Sequence, residues 1–378
     1  NLDEGETYVI KAAVDLAAGH LGGTIIEVTA GGDIAVTIND DSVFNDVGTC
    51  RDNVGDQIVP TDVPGKEYIV MRGPLPTTER AFVYPVEDGT EIWVDGVSIG
   101  TYDITNPATV VIPLASNAVH IEGDTSIYVF HVTGMSCEIG GALLPTIDGC
   151  TGSLQVTYYR SNANDFWMFL MTKAGNEDGF VFEYADGIAL NVPGTWFSNV
   201  PGKPGWMVLN KANYKFANAR GGGMPMGEAT KIINTKDVFH MGVINGRTNT
   251  TCKYGYFSDF VQETVSGKVV ESSSAFGEVC ENNPLQLFAS GGKTYSWSPV
   301  DYLDDPTSAT PFVTLPAGPH NYSVTIERPC TGDTVINMSI LSIPTPDASF
   351  TLSDYSVCAP YKLALYNNSD PVCNSQNW

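Results

Sequence analysis

Residues Gly96-Val97-Ser98-Ile99-Gly100 carry the Gly-x-Ser-x-Gly spacing that presents a nucleophilic serine on a strand-to-helix elbow. That chemistry needs a helix after the serine, yet Ser98 leaves an alternating arm and runs into Thr101-Tyr102-Asp103-Ile104 with no helix start signal. The motif therefore reads as a turn and a strand. The five histidines, His20, His120, His131, His240 and His320, are scattered and form no H-E-x-x-H pair. The glycine run Gly221–Gly223 lacks the Lys-Ser/Thr that completes a phosphate loop. Two convergent carboxylates for glycoside hydrolysis would have to be assembled by the fold, since spacing alone does not pair them. No catalytic constellation is legible, and a non-enzyme is expected.

Three binding chemistries have better support. The stretch Asn39–Gln57 holds Asp40, Asp41, Asp46, Asp52 and Asp56 among several asparagines, the oxygen density that a calcium ion takes up. Its spacing is not that of an EF-hand, so a structural Ca²⁺ competes with a plain solvated loop. Trp196 and Trp206 are flanked by Pro193-Gly194, Pro201-Gly202 and Pro204-Gly205, turns that would expose an aromatic face to a sugar. Met224 and Met226 follow the glycine run and would present a soft contact surface. No other cofactor is expected.

The elements that must position these residues are strands. The chain has 378 residues with 38 Gly, 23 Pro and 10% aromatics, which suits many short strands joined by tight turns. Charged residues make up only 16%, and 43 acids against 19 bases leave a net charge of −24. Such a surface repels phosphate backbones and anionic lipid, which argues against nucleic acid and membrane-surface partners. The longest apolar run, Phe166–Met171, is far too short to span a membrane. The start, Asn1-Leu2-Asp3-Glu4, has neither the basic nor the apolar part of a signal peptide, as in a mature chain.

Eight cysteines with no C-x-x-C pattern read as a disulfide set in an oxidising, extracellular compartment. Connectivity does not follow from spacing. The expected pairs are Cys280–Cys330 across one module, Cys358–Cys373 in the next and Cys137–Cys150 in a short loop, leaving Cys50–Cys252 by elimination.

The strongest local signal is Phe82–Gly96, which predicts a hairpin: arms Phe82/Tyr84/Val86 and Ile92/Val94 around Asp88-Gly89. Phe180–Gly194 repeats it at an offset of 98 residues, and Val28–Val36 is a fainter copy. Ile121–Gly134 is echoed by Ile233–Gly246 at an offset of 112. Two motifs recurring in one order predict duplicated β units. The expected division is β-sandwich units at 1–78, 79–150 and 151–265, with strands at Tyr8–Val14, Thr24–Thr29 and Ile34–Ile38 in the first. A polar linker is expected at 266–275, followed by a module at 276–343 and the start of another at 344–378. In 276–343 a cysteine, a strand bearing Trp297 and a late strand leading to Cys330 have the layout of a small immunoglobulin-like sandwich. The fold class is all-β, tandem sandwiches.

With these residues in view, 276–343 resembles the PKD-like modules of large Bacteroidota surface proteins, through Cys280-Glu-Asn, Tyr295-Ser-Trp297-Ser-Pro299 and Leu303-Asp-Asp-Pro306. Residues 347–369 are similar to the opening of a PKD domain. About the first 265 residues resemble the N-terminal domain of the IgGFc-binding protein. Gly65–Val70, Glu87–Val94, Cys137–Pro145 with Cys150–Ser153, and Asp237–Phe239 through Tyr254–Asp259 carry that likeness. The resemblance implies a cell-surface adhesin with a binding head and an immunoglobulin-like stalk, type IX secretion and gliding. Its partner would be a surface glycan or protein. A subunit of an extracellular filament, contacting other copies, is the alternative, and a carbohydrate-active enzyme comes third.

Overall fold

The computed structural model describes residues 5–13, 21–29, 32–44, 51–105, 109–212, 224–247, 251–260, 265–270, 276–328, 332–345, 350–352 and 365–367. Among them the regular structure is strand, with two single-turn 3₁₀ segments and no α-helix. Two compact units divide the chain, Asn1–Gln262 and Glu263–Trp378.

The first unit opens differently from expectation. The described parts of Tyr8–Val14 and Thr24–Thr29 form no strand. Tyr8 and Val9 are 77% and 84% exposed, and Ile25 is 77% exposed. Alternation alone does not make a strand, because its backbone groups need a partner ladder. The stretch expected as a calcium-type loop is mostly a hairpin, β1 (Val36–Phe44) and β2 (Arg51–Ile58), paired from Val36–Ile58 to Phe44–Arg51 with a register shift between Asp40 and Val43. A sandwich over 1–78 is thus corrected: the described residues before 67 hold this hairpin, and the next strand belongs to the following sandwich.

That sandwich comprises β3 (Glu67–Met71), β4 (Arg80–Pro85), β5 (Thr90–Val94), β6 (Val97–Tyr102), β7 (Val110–Pro113), β8 (Ala118–Gly123), β9 (Ile127–Met135) and β10 (Glu138–Leu143). One sheet runs β3-β8-β5-β6 and the other β10-β9-β4-β7. Tyr68, Val70, Ala81, Val83, Ile92, Val119, Ile121 and Val129 fill the space between them. The predicted hairpin Phe82–Gly96 does not form: β4 pairs with β7 and β9, β5 with β6 and β8. Residues 86–89 instead carry the chain from one sheet to the other. Both arms alternate because each buries one face, and alternation cannot distinguish a hairpin from such an arch.

The real hairpin is β5–β6, turned by Asp95-Gly96 with φ of 48° and 82°. Two successive positive φ values define the type I′ turn, whose twist matches that of the strands. A Cβ on Gly96 would touch nothing within 4 Å, so the glycine is there for its conformation alone. Gly96→Ala should cost about 1–2 kcal/mol in chemical denaturation, the penalty of placing an L side chain in the left-handed region. A change well under that range would show that the turn relaxes.

The second sandwich comprises β11 (Gln155–Tyr159), β12 (Asp165–Lys173), β13 (Phe180–Tyr184), β14 (Ala189–Asn191), β15 (Ser198–Asn199), β16 (Trp206–Ala212), β17 (Ala229–Asn234), β18 (His240–Arg247) and β19 (Thr251–Tyr256). Its sheets run β11-β17-β13-β14 and β15-β16-β12-β18-β19. Apart from β15, this is the strand order of the first sandwich. β8 and β9 correspond to β17 and β18, which is the echo at 112. The echo at 98 is out of register: it aligns β4 with β13, whereas by pairing β13 occupies the place of β5. The equivalent turns are Asp95-Gly96 and Asp186-Gly187.

The two sandwiches share a core. Ile69, Met71 and Ala118 of the first pack with Phe169, Met171, Val208 and Ile244 of the second. Beside it the Glu79 carboxylate accepts the amides of Gly73 (2.6 Å) and Leu75 (3.0 Å) and meets His131 Nε2 at 3.2 Å. His131 Nδ1 lies 2.8 Å from the Tyr254 hydroxyl of β19, so the network crosses the junction.

The second unit holds β20 (Ser266–Val269), β21 (Phe276–Cys280), β22 (Pro284–Ser290), β23 (Thr294–Ser298), β24 (Phe312–Thr314), β25 (Gly318–Glu327) and β26 (Thr334–Ile343). They form an immunoglobulin-like sandwich with sheets β20-β22-β24 and β21-β26-β25-β23. The expected linker therefore supplies its first strand, β20, and the module starts ten residues earlier than read. Trp297 is 1% exposed at its centre among Leu287, Val313, Val324 and Ile340. Beyond it, β27 (Phe350–Leu352) pairs with β28 (Leu365–Asn367).

Candidate binding surface

Most residues expected to present a contact face are used inside the fold. Trp206 on β16 is 9% exposed, in the core shared by the sandwiches, its ring 6.1 Å from that of His240. Met224 is 1% exposed in the second sandwich core, and its carbonyl accepts a hydrogen bond from Arg160. Trp196 ends the 3₁₀ turn Gly194–Trp196, half-buried against the same core. Met226, 57% exposed, remains available as a contact residue. Sequence placed all four beside turns, but a turn residue can point inward as easily as outward.

The acidic candidates have structural partners. β10 is the edge of its sheet, and its outward amides need acceptors. Asp52 Oδ2 accepts from Ile139 N at 3.0 Å, and Asp56 Oδ2 from Leu143 N at 2.8 Å. Spaced four apart on β2, they project to one side with Val54 between them, which is 5% exposed. Asp40 is on β1, in register with Val54. Asp46 and the side chain of Asp41 lie outside the described residues.

Cys137, Cys150 and Cys280 are each disulfide-bonded. Cys50, Cys330, Cys358 and Cys373 lie outside the described residues. Cys252 has a free thiol, which corrects the pairing Cys50–Cys252. Elimination assumed that every cysteine was paired; burial pushes this thiol up to about 12, which keeps it protonated and inert. Ser98 is exposed on β6 and donates to Glu91 Oε1 at 2.6 Å, with no histidine partner.

His240 is 1% exposed with Thr151 Oγ1 3.5 Å from its Nε2. Burial pushes its pKa down to about 3. The folded chain therefore keeps a neutral imidazole where the unfolded chain takes up a proton near pH 6.5. The folded pKa is the depressed one, so stability is full above pH 6.5 and falls as pH drops from there towards 3. The slope should approach about 1.4 kcal/mol per pH unit from this one group. His240→Gln should flatten that slope in urea melts between pH 6.5 and 4; an unchanged slope would place the proton uptake elsewhere.

One cluster was missed by sequence reasoning. Glu67 on β3 stands directly opposite Glu122 on β8, and His120 is two residues away on the same face of β8. Ligand-type atoms of all three lie within 4.8 Å of one another. His120 is 2% exposed, and neither ring nitrogen has a hydrogen-bond partner. Lys203, on the loop before β16, pairs with Glu67. Gly202, at φ +71°, lets that loop lie against Asp95, where a Cβ would come within 2.5 Å of the Asp95 Cα. The sequence signal was His120-Ile121-Glu122, a His-x-Glu on a strand; the opposing Glu67 needs the register. A cleft lined by Gly65, Thr146, Asp148, Cys150, Thr151 and Phe260 lies elsewhere, and neither glutamate lines it.

Residues 1–159 match the family model described as IgGFc binding protein. That is shorter than the 265 residues over which the resemblance was drawn. No curated protein matches the chain. Among solved structures, the chain is similar to the N-terminal eight Ig domains of Down Syndrome Cell Adhesion Molecule isoform 1.30.30, at 11% identity and a TM-score of 0.18. The match covers 81% of this chain and 41% of that one. The insect immune protein hemolin matches at 8% identity and TM-score 0.20, covering 74% of this chain and 78% of its own. A bacterial ice-binding adhesin matches at 9% and 0.12, covering 82% and 98%. Overlaps this low carry no argument about function. Among the described residues no helix is long and apolar enough to cross a membrane.

Proposed function

We propose that the chain is an extracellular, non-catalytic attachment protein, with residues 1–262 as the binding part and the immunoglobulin-like module as stalk. The match of residues 1–159 to the IgGFc-binding family carries the reading. Disulfides at Cys137, Cys150 and Cys280 support an oxidising compartment. In its finer form the proposal is a Bacteroidota surface adhesin exported by type IX secretion, on the motifs of 276–343 given above.

The test is the full chain on a glycan array beside a panel of immobilised extracellular proteins that includes the immunoglobulin Fc fragment. Saturable binding to one glycan or protein class supports attachment. Background signal across the array and the panel overturns it.

A second reading, a filament subunit, is favoured by one observation. Tyr8, Val9 and Ile10 are apolar, exposed and, among the described residues, part of no strand. Such a segment can add to the sheet edge of another copy. Sedimentation at rising concentration separates the two: growing polymers favour the filament, a constant monomer favours attachment.

A further inference from the structure

Directly opposed like charges destabilise a sheet, and Glu67 and Glu122 are such a pair. A buried imidazole with both nitrogens unpartnered is a further cost, because the ring loses its hydration without replacement. Lys203 answers one carboxylate only, through Glu67. Two carboxylates and an unpartnered imidazole thus share a single ammonium.

We propose that Glu67, His120 and Glu122 form a binding site for a divalent transition cation, with zinc as the best match. One imidazole nitrogen and two carboxylate oxygens are a zinc donor set with a fourth position open to water. Calcium, which takes six to eight oxygens, fits poorly where the innermost ligand is an imidazole. The cation relieves both costs in part: it sits between the opposed carboxylates and gives one ring nitrogen a partner. Lys203 competes for Glu67, so metal entry releases its ammonium from that carboxylate. This loosens one ionic tie between the loop before β16 and the first sandwich.

The test is titration of the full chain with zinc alone, read by calorimetry and by a competing chelator dye, with thermal melts alongside. One zinc per chain should bind, and Glu122→Gln should weaken it by on the order of tenfold or more. Glu122 is half-buried, so this variant keeps the fold; His120→Gln should give the same loss. Lys203→Met should bind more tightly than the unmodified chain, since its competitor is gone. Absence of saturable binding overturns the proposal. So does zinc affinity unchanged in both Glu122→Gln and His120→Gln, which would assign the metal to other groups.

Discussion

Replacing Glu79 by alanine should cost about 3–5 kcal/mol of stability, since it strands several hydrogen-bonding groups at about 1–3 kcal/mol each. Both side chains of the Glu79–His131 pair are 0% exposed. The carboxylate is also an acceptor for two backbone amides, Gly73 and Leu75, so alanine leaves both donors, and the His131 ring nitrogen beside them, without this partner. Leu75 and His131 are buried, so solvent does not compensate there. Glu79→Gln keeps one acceptor oxygen and should lose less, about 1–3 kcal/mol. Because His131 also meets Tyr254 across the junction, the loss should appear in the cooperative transition of residues 1–262 as a whole. Urea melts measure it; a loss under 1 kcal/mol for the alanine variant would show that the network is open to water.

The second large effect is expected at Trp297. Truncation to alanine should remove about 3–5 kcal/mol, through lost burial and the cavity left behind. Its Nε1 donates to Ser308 O at 2.8 Å, and that carbonyl loses its donor. For a module of this size the change is a large part of the total stability. It should lower the melting temperature of the immunoglobulin-like module by more than about 12 °C. The transition of residues 1–262 should not move, since Trp297 belongs to the other compact unit. Calorimetry resolves both transitions, and a parallel fall in both would contradict the division.

What the sequence reveals about this fold follows from how local each cause is. The all-β class is legible because alternation and Asp-Gly turns are local. The place of Trp297 is legible because a Cys…Trp…Cys layout is a pattern along the chain. The partner of a strand is not local. Phe82–Val86 and Ile92–Val94 have the arms of a hairpin, yet each has an inner face in its own sheet. The repeat at 98 was misread for the same reason, since an arch and a hairpin give one alternation. β1 and β2 are largely hidden because polar residues outnumber apolar ones in them, and Asp52 and Asp56 serve an edge 87 residues away. Trp206, flanked by turns, and Met224, after a glycine run, read as surface residues, while burial is decided by the packing of the sandwiches. The His120 cluster depends on β3 standing beside β8, a register no motif records.

Attachment is tested most directly under load. Beads carrying the full chain would be driven by laminar flow over surfaces coated with glycoprotein, immunoglobulin Fc or albumin. Retention on a glycoprotein or immunoglobulin Fc surface should be well above that on albumin and abolished by soluble chain. Retention equal to albumin on every surface would contradict it.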